Sequence, residues 1–463
     1  MAARATKRIK VIGGGLAGPE AALQAARLGC EVDLYEMRPT RSTEAHQTSD
    51  FAELVCSNSL KSESENTAPW LLKQEMRRAG SILLAEADAS AVPAGHALAV
   101  DRVEFSRRVA ERVAAEPRIT VHREEVTRLD ENDPETITIL ASGPLTSPAL
   151  TAELQRLTGA DQLAFYDSIS PIVDASTINM DRVYFAARWD KGTADYINCP
   201  FTKEEYETFL DALTAAETVP AKEWEQIPSS DNQQPATNNQ QPHYFEGCLP
   251  IEETARRGRD TLRFGPMKPA GLTNPKTGRW PYAVVQLRQE NLRADSYNLV
   301  GFQNHLKFGE QQRVLRLIPG LENATFLRYG QIHRNTYINA PTLLTETLQL
   351  RAHPSIMVAG QLSGVEGYTE SIASGMLAGR YAAALAHGNT PAAAPRASAN
   401  GSLTHYITHA TDVEKAKRFQ PANITFDLLS PLEEELRKKI RDKKERHRIQ
   451  CDRALAAWSA WLG

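Results

Sequence analysis

Residues 9–36, IKVIGGGLAGPEAALQAARLGCEVDLYE, limit what this chain can fold into more than any other stretch. An apolar run, Ile9 to Ile12, leads into Gly13, Gly15 and Gly18 at the GxGxxG spacing. A small-residue helical stretch from Pro19 to Leu28 ends at Gly29, and a second strand, Glu31 to Tyr35, delivers Glu36. Strand, glycine turn, helix and strand in that order form the unit that binds dinucleotides. Gly13 permits the tight turn, Gly15 lets the backbone approach a pyrophosphate, and Gly18 lets helix and strand pack closely. The helix N-terminus turns its positive end toward the phosphates. Glu36, 21 residues past Gly15, is placed to accept a hydrogen bond from a ribose hydroxyl. The cradle is therefore assigned to Gly13, Gly14, Gly15, Leu16, Ala17 and Gly18, with Glu36 at its far side. A GxGxxG alone is weak evidence; its position between strand and helix gives it weight.

A chain of 463 residues, 41% hydrophobic, is expected to form two or three domains with a large core. Its net charge of −4 sets up no global basic field, so a nucleic-acid partner would have to meet a local patch. No run of 18 apolar residues suggests a membrane span. A first strand beginning by about Ile9 leaves no room for a signal peptide, so a cytoplasmic protein is expected. Five cysteines (Cys30, Cys56, Cys199, Cys248, Cys451) are scattered without a CxxC. No metal is expected from them, and thiols rather than a disulfide framework.

Cys56 lies in VCSNSLK, a short apolar run that turns polar. It reads either as a small buried hydrophobe or as a partly exposed thiol near a cofactor, helped by Lys61 and nearby amides. Residues 69–85 have helical spacing. Asp101 should cap a helix carrying Val103, Phe105, Val109 and Val113 on one side, with Arg107, Arg108 and Arg112 on a solvated face. Strands are expected near Ile119–Arg123 and Glu135–Leu140. Residues 136–154 read as strand, glycine-containing turn and helix. That is either an ordinary connection or a strand passing under the cofactor.

From about residue 165 aromatic and β-branched residues dominate, with a helix at 201–218 and strands near Tyr282–Leu287 and Ser296–Val300. The polar stretch 228–242 should be a surface loop. In 243–272, which contains Cys248, Arg256, Arg257, Arg259, Arg263 and Lys268 lie within 13 residues. They form either a solvated charge run or a phosphate-contacting surface. Residues 355–360 then form a buried strand. Residues 361–386 follow as a loop and a helix lined with Ala373, Ser374, Gly375, Ala378 and Gly379, whose small side chains allow close approach to sheet or cofactor. Gly360 and Gln361 lead toward this second helix N-terminus and are added to the cofactor site. Residues 394–402 read as a loop. The tail 432–462 reads as one helix, with eight basic residues between Arg437 and Arg448 that serve helix-stabilising pairs or a nucleic acid. No second GxGxxG unit is present, so no separate nicotinamide domain is encoded.

The combination of IGGGLAGPEAA, VCSNSLKSE, FEGCLPIEETARRGRDTLRFGPMKPAGL, GFQNHLKFGEQ and VAGQLSGVEGYTES resembles the bacterial folate- and FAD-dependent tRNA (uracil-5-)-methyltransferases, over nearly the whole chain. The resemblance implies an α/β fold: a Rossmann-like FAD-binding domain in two parts, 1–165 and 326–463, around a β-rich α+β insertion domain, 166–325. It implies methylation of C5 of uridine 54 in the tRNA T loop. The carbon would come from 5,10-methylenetetrahydrofolate, with reduced FAD as reductant and NADH or NADPH to re-reduce it. The family pattern places two cysteines in this work, matching Cys248 as C6 nucleophile and Cys56 as general base, with exchange of the two roles left open. The tRNA would meet Arg256, Arg257, Arg259 and Lys268 first and Lys438–Arg448 second. Cys30, Cys199 and Cys451 are left as packing residues. No protein partner is required. The competing readings are an FAD protein that modifies the wobble uridine with a GTPase, and a non-catalytic FAD- and RNA-binding module. A plain NAD(P)H oxidase is weaker, for want of a nicotinamide domain.

Overall fold

A computed structural model describes residues 7–43, 45–159, 163–190, 193–219, 249–409 and 419–463. The chain opens as β1 (Arg8–Ile12), α1 (Ala17–Arg27) and β2 (Val32–Tyr35). Helix α1 starts two residues before Pro19, which sits in the first turn, where a missing N–H costs nothing. Next come β3 (Ser59–Ser62), α2 (Ala68–Ala79), α3 (Ile82–Ala89), β4 (Ala91–Val92), β5 (Ala97–Val100) and α4 (Arg102–Ala115). The single helix expected at 69–85 is two. Gly80, at φ 72°, closes α2, and the Ser81 hydroxyl caps α3 by accepting from Leu84 N–H. Asp101 caps α4 as expected, accepting from Val103 and Glu104 N–H. Phe105, Val109 and Val113 are buried, whereas Val103, two residues out of phase with Phe105, is exposed. Arg107 is on the solvated face. Arg108 and Arg112 reach the buried Glu86 instead, at 2.8 and 2.6 Å. Strands β6 (Ile119–His122) and β7 (Thr136–Leu140) and helix α5 (Pro148–Thr158) complete the first part.

The middle of the chain supplies β8 (Leu163–Ser168), β9 (Ile172–Asp174), β10 (Tyr184–Ala186), β11 (Tyr196–Phe201), α6 (Lys203–Ala215), α7 (Ile251–Arg256) and α8 (Thr261–Phe264). It continues with β12 (Ala283–Gln289), β13 (Ser296–Leu299), α9 (Phe308–Leu315), β14 (Phe326–Arg328) and β15 (Ile332–Tyr337). Six strands form an antiparallel sheet in the order β10-β11-β12-β13-β9-β14. Alternation gives it two characters. Ile197, Cys199, Val285, Leu287 and Leu299 enter a core with Tyr206, Phe209, Leu210 and Leu213 of α6. Burying each large aliphatic there contributes roughly 1.5–3 kcal/mol. Asn198, Gln286, Arg288 and Asn298 occupy the other, polar face. Strands β8 and β15 pair antiparallel as a separate ribbon. The loop expected at 228–242 lies outside the described residues.

The chain then returns through α10 (Ala340–Leu343), β16 (Ile356–Val358), α11 (Tyr368–Ala386), α12 (Ala399–Thr408), α13 (Glu434–Lys439) and α14 (Lys443–Leu462). Strand β16 joins a parallel sheet in the order β16-β7-β1-β2-β6. Buried residues fall into two large clusters, one drawn from 9–157 and 337–458, the other from 173–324. The glycines of α11 serve close packing against α1, and the helix also lies on the parallel sheet at β7 and β1. A Cβ on Gly375 would lie 2.3 Å from the Ala17 carbonyl oxygen of α1, and one on Gly379 2.4 Å from that of Ala21. The loop expected over 394–402 stops at Ser398, whose hydroxyl caps α12 by accepting from Gly401 N–H. Glu75 adds a second cap there, accepting from the amides of Ala399 and Asn400. The tail is two helices, restarted by Asp442, which accepts from Lys444 N–H. Among the described residues no helix is long and apolar enough to cross a membrane.

Candidate functional site

A cleft of about 360 Å³ opens at the C-terminal ends of β1, β2, β7 and β16, where doubly wound sheets bind ligands. The glycine turn forms its floor. Gly13 has φ 116°, and a Cβ there would sit 2.3 Å from the Ala141 carbonyl oxygen at the end of β7. Only glycine fits. A Cβ on Gly18 would lie 1.8 Å from the Gly13 carbonyl oxygen, so α1 packs directly on the turn. Gly15 differs: nothing lies within 4 Å of its Cβ direction, and the residue lines the cleft. Leu16, at the N-cap of α1, offers no side-chain cap, so the first amides of α1 lack an internal acceptor. A bare Cα facing open space beside an uncapped helix start fits a pyrophosphate.

Glu36, 5% exposed, directly follows β2. Its Oε2 accepts from Gly14 N–H at 2.7 Å, and its Oε1 from the backbone and Nε of buried Arg38, both at 2.9 Å. Burial pushes its pKa up. The hydrogen bonds and charge of Arg38, with the Gly14 amide, outweigh that and hold it below the usual carboxylate range. A carboxylate has about four lone-pair sites, so three such bonds leave one for a ribose hydroxyl. The far wall is the turn after β7, where Gly143 is at φ 71° and Ser142 Oγ meets Thr146 Oγ1 at 2.8 Å. Strand β7 therefore does run beneath the cleft. Gly360, at φ 70°, and Gln361 close the other end, with Gly360 N–H donating to Ser374 Oγ at 2.8 Å.

Cys56 lies on this cleft, half-buried. The backbone amides of Cys56 and Ser57 donate to the phenol oxygen of Tyr368, at 2.8 and 3.2 Å. Tyr368 is the first residue of α11, so the cysteine is pinned to that helix's N-terminus. Burial, then the neighbouring Cys56, push the phenol's pKa up, against Arg102 and the two amides. It stays protonated at neutral pH. The segment is fixed elsewhere as well. Lys61 pairs with buried Glu370 of α11 at 2.7 Å, and Asn58 Nδ2 donates to the carbonyls of Val100 and Gln289, both at 3.0 Å. Buried Arg288 donates to Ser57 Oγ at 2.8 Å. Arg102 and Arg328 lie within electrostatic range of Cys56.

Gly13 to Ala17, Glu36, Cys56, Gly360 and Gln361 thus share one cleft, with Gly18 behind the turn. Cys248, the other expected catalytic residue, lies outside the described residues. Of the expected RNA-contacting set, Arg256, Arg257 and Arg259 are exposed. Arg256 pairs with Glu253, and Arg259 with Glu207 and Asp211. Lys268 is exposed and forms no ion pair among the described residues. Cys30, Cys199 and Cys451 are buried packing residues, as expected. Glu346, His405 and His409 form a surface cluster of metal-ligand types, and none of them lines the cleft. Tyr368 and the Lys61–Glu370 pair were not anticipated. Their partners lie about 310 residues apart, and only the Tyr-Thr-Glu opening of α11 could have hinted at them.

The sequence model of the family described as glucose inhibited division protein A matches residues 8–390. A methylenetetrahydrofolate–tRNA-(uracil-5-)-methyltransferase TrmFO of Koribacter versatilis is 66% identical, covering 98% of this chain and 98% of its own. The protein of the same name from Enterococcus faecalis is 52% identical, covering 97% of each. The solved structure of Aquifex aeolicus GidA superposes with a TM-score of 0.68 at 16% identity, over 99% of this chain and 74% of that one. At that identity the likeness bears on the fold, a Rossmann-like α/β domain with a separate antiparallel sheet.

Proposed function

The chain belongs to the family of methylenetetrahydrofolate–tRNA-(uracil-5-)-methyltransferases, and from that premise we propose that it methylates C5 of uridine 54 in the T loop of tRNA. The carbon donor is 5,10-methylenetetrahydrofolate, the reductant is reduced FAD, and NADH or NADPH is the source of electrons. The observation that carries this reading is a cysteine, Cys56, anchored by Tyr368 on a cleft floored by a glycine turn.

Gly15 and the uncapped start of α1 would hold the pyrophosphate of FAD, Glu36 its ribose, and Gly360 and Gln361 the far end. Bound there, reduced FAD supplies the hydride that turns the transferred carbon into a methyl group. The remaining work falls to the chain's thiols. Uracil C5 is a poor nucleophile until something adds to C6. Cys248 is assigned that addition: its sulfur bonds C6 and the electron pair moves to C5, which bonds the folate carbon as one of that carbon's two bonds to folate nitrogen breaks; the second breaks once the C5 proton is removed, and tetrahydrofolate leaves. Cys56 is assigned removal of the C5 proton, with Arg102 and Arg328 compensating the negative charge of the thiolate that accepts it. Breaking the sulfur–C6 bond restores the pyrimidine double bond and frees Cys248. Segments 1–165 and 326–463 would hold the flavin, and 166–325 would face the tRNA.

The test is incubation of holoenzyme with undermodified tRNA, 5,10-methylenetetrahydrofolate and NADPH, followed by nucleoside analysis. Failure to form 5-methyluridine refutes the reading. Trapping a 5-fluorouracil-bearing RNA on Cys56 rather than Cys248 exchanges the two thiol roles.

A further inference from the structure

Two tryptophans stand on the surface of the middle part of the chain. Trp189 is 54% exposed and Trp280 51%, and their rings meet edge to face at 5.3 Å. Trp189 has φ 61°, a backbone conformation bulky residues avoid. It is held there by a 2.7 Å hydrogen bond from its N–H to the Gly271 carbonyl, with its indole lying on Gly271 itself. A Cβ on that glycine would be 2.6 Å from the ring. The local fold thus displays the indole instead of burying it.

The charges around this pair differ from those of the arginine run beside it. Arg256, Arg259 and Arg263 are matched by acids. Lys268, Lys276 and Arg279 are exposed and form no ion pair among the described residues. The Lys276 amine donates only to the backbone carbonyl of Asp181, which leaves its charge whole. Arg188 next to Trp189 donates to the carbonyls of Lys268 and Ala270 and, at 2.9 Å, to Gln286 Oε1. Asp190 is the acid adjoining in sequence. Gln286 and Arg288 are successive residues on the polar face of β12, about 7 Å apart. Arg288 bonds Ser57, beside Cys56. The patch therefore joins the cleft through one short row of polar side chains.

We propose that Trp189 and Trp280 form a stacking platform for unpaired RNA bases next to the target uridine, with Lys268, Lys276 and Arg279 taking the adjoining phosphates. This rests on the reading of tRNA as substrate. Unpaired bases stack on exposed aromatic rings whatever their sequence, and cations without acid partners release counterions when they meet phosphate.

Labelled tRNA transcript is titrated into holoenzyme at several salt concentrations, with fluorescence anisotropy as readout. Trp189→Ala and Trp280→Ala each raise Kd about tenfold or more, and the Phe pair W189F/W280F stays within about threefold. Neutralising Lys268, Lys276 and Arg279 together flattens the salt slope by about 2–3. Tryptophan fluorescence, quenched by tRNA in the natural chain, loses most of that quenching in W189F/W280F; this readout does not need the alanine variants to fold. A double-alanine protein with unchanged melting and Kd within twofold of the natural chain overturns the proposal. So does quenching that persists in the Phe pair, or a change in self-association at unchanged tRNA affinity. Natural protein that binds tRNA through this pair but forms no 5-methyluridine would keep the platform and refute the reading. A double-alanine enzyme methylating at unchanged KM would do the opposite.

Discussion

Gly15 and Gly18 stand three residues apart in one motif, yet alanine at each should fail in opposite ways. At Gly18 the new Cβ meets the Gly13 carbonyl oxygen at 1.8 Å, and backbone atoms cannot step aside as a side chain would. Overpacking of this kind costs about 1–3 kcal/mol, with this contact at the upper end, and alanine's better helix propensity returns about 1. A net loss of about 2 kcal/mol lowers the melting temperature by about 3 °C in a domain of this size, with or without cofactor. At Gly15 nothing lies within 4 Å, so Gly15→Ala leaves the cofactor-free fold as stable as before, or slightly more so through a stiffer unfolded chain. Its methyl group instead occupies the approach of the pyrophosphate. Each charge-assisted hydrogen bond forfeited there is worth about 1.5–3 kcal/mol, so FAD affinity falls at least tenfold. The assay is FAD titration of stripped protein, followed by flavin absorbance, beside thermal unfolding of the same samples. Gly15→Ala protein that binds FAD within twofold of the natural chain, or melts several degrees lower without cofactor, would refute this division of labour.

Three further outcomes can be checked. Glu36→Gln turns an amide N–H₂ toward Gly14 N–H or Arg38 and breaks the buried pair; FAD loading should fall about tenfold and stability by about 3 kcal/mol, measured by flavin retention on gel filtration and by urea unfolding. Tyr368→Phe removes the shared acceptor of the Cys56 and Ser57 amides; FAD should still bind, while single-turnover methylation of tRNA drops at least tenfold. Glu75 is buried, and burial, against the amides of Asn400 and Ala399, pushes its pKa to about 7. The folded state therefore holds a proton that the unfolded chain releases near 4.5, so stability falls as pH rises through that window, by about 3 kcal/mol in total. The Glu75→Gln protein lacks this term. Its stability relative to the natural chain should rise by that amount between pH 4.5 and 8, and a flat difference in urea unfolding would refute the assignment.

The elements visible in sequence are those whose causes are local. The glycine turn, Glu36 and the Asp101 cap follow from residues within one or two dozen positions of each other, and the structure puts them where spacing alone does. The breaks at Gly80–Ser81 and before Asp442 were also written locally, as a left-handed glycine and a capping serine in one place and a capping aspartate in the other. Continuous apolar and charged periodicity hid them. Val103 falls outside the inward stripe because two residues turn a helix by about 200°, so it faces away from Phe105, Val109 and Val113. The stripe of Ala373 to Gly379 was legible as a close-packing surface. What it packs against was not, because Ala17 and Ala21 approach it only after the chain has returned from the antiparallel sheet.

The least legible features are the buried acids, and they share one cause. Glu20, in the first turn of α1, accepts from the amides of Ile82 and Leu83, which open α3. Glu75 in α2 does the same for α12, more than 320 residues away in sequence. Glu252 does it for the amide of His305. Each carboxylate satisfies donors that would otherwise be buried without an acceptor, at a cost of about 1–3 kcal/mol apiece. A glutamate in an amphipathic pattern reads as a surface residue, since nothing nearby in sequence records the donor it will meet. The Glu20 cap braces α1 from behind, and Glu36 braces the turn before it. The cradle is therefore organised by the chain itself, which is why the Gly15 and Gly18 substitutions separate binding from folding.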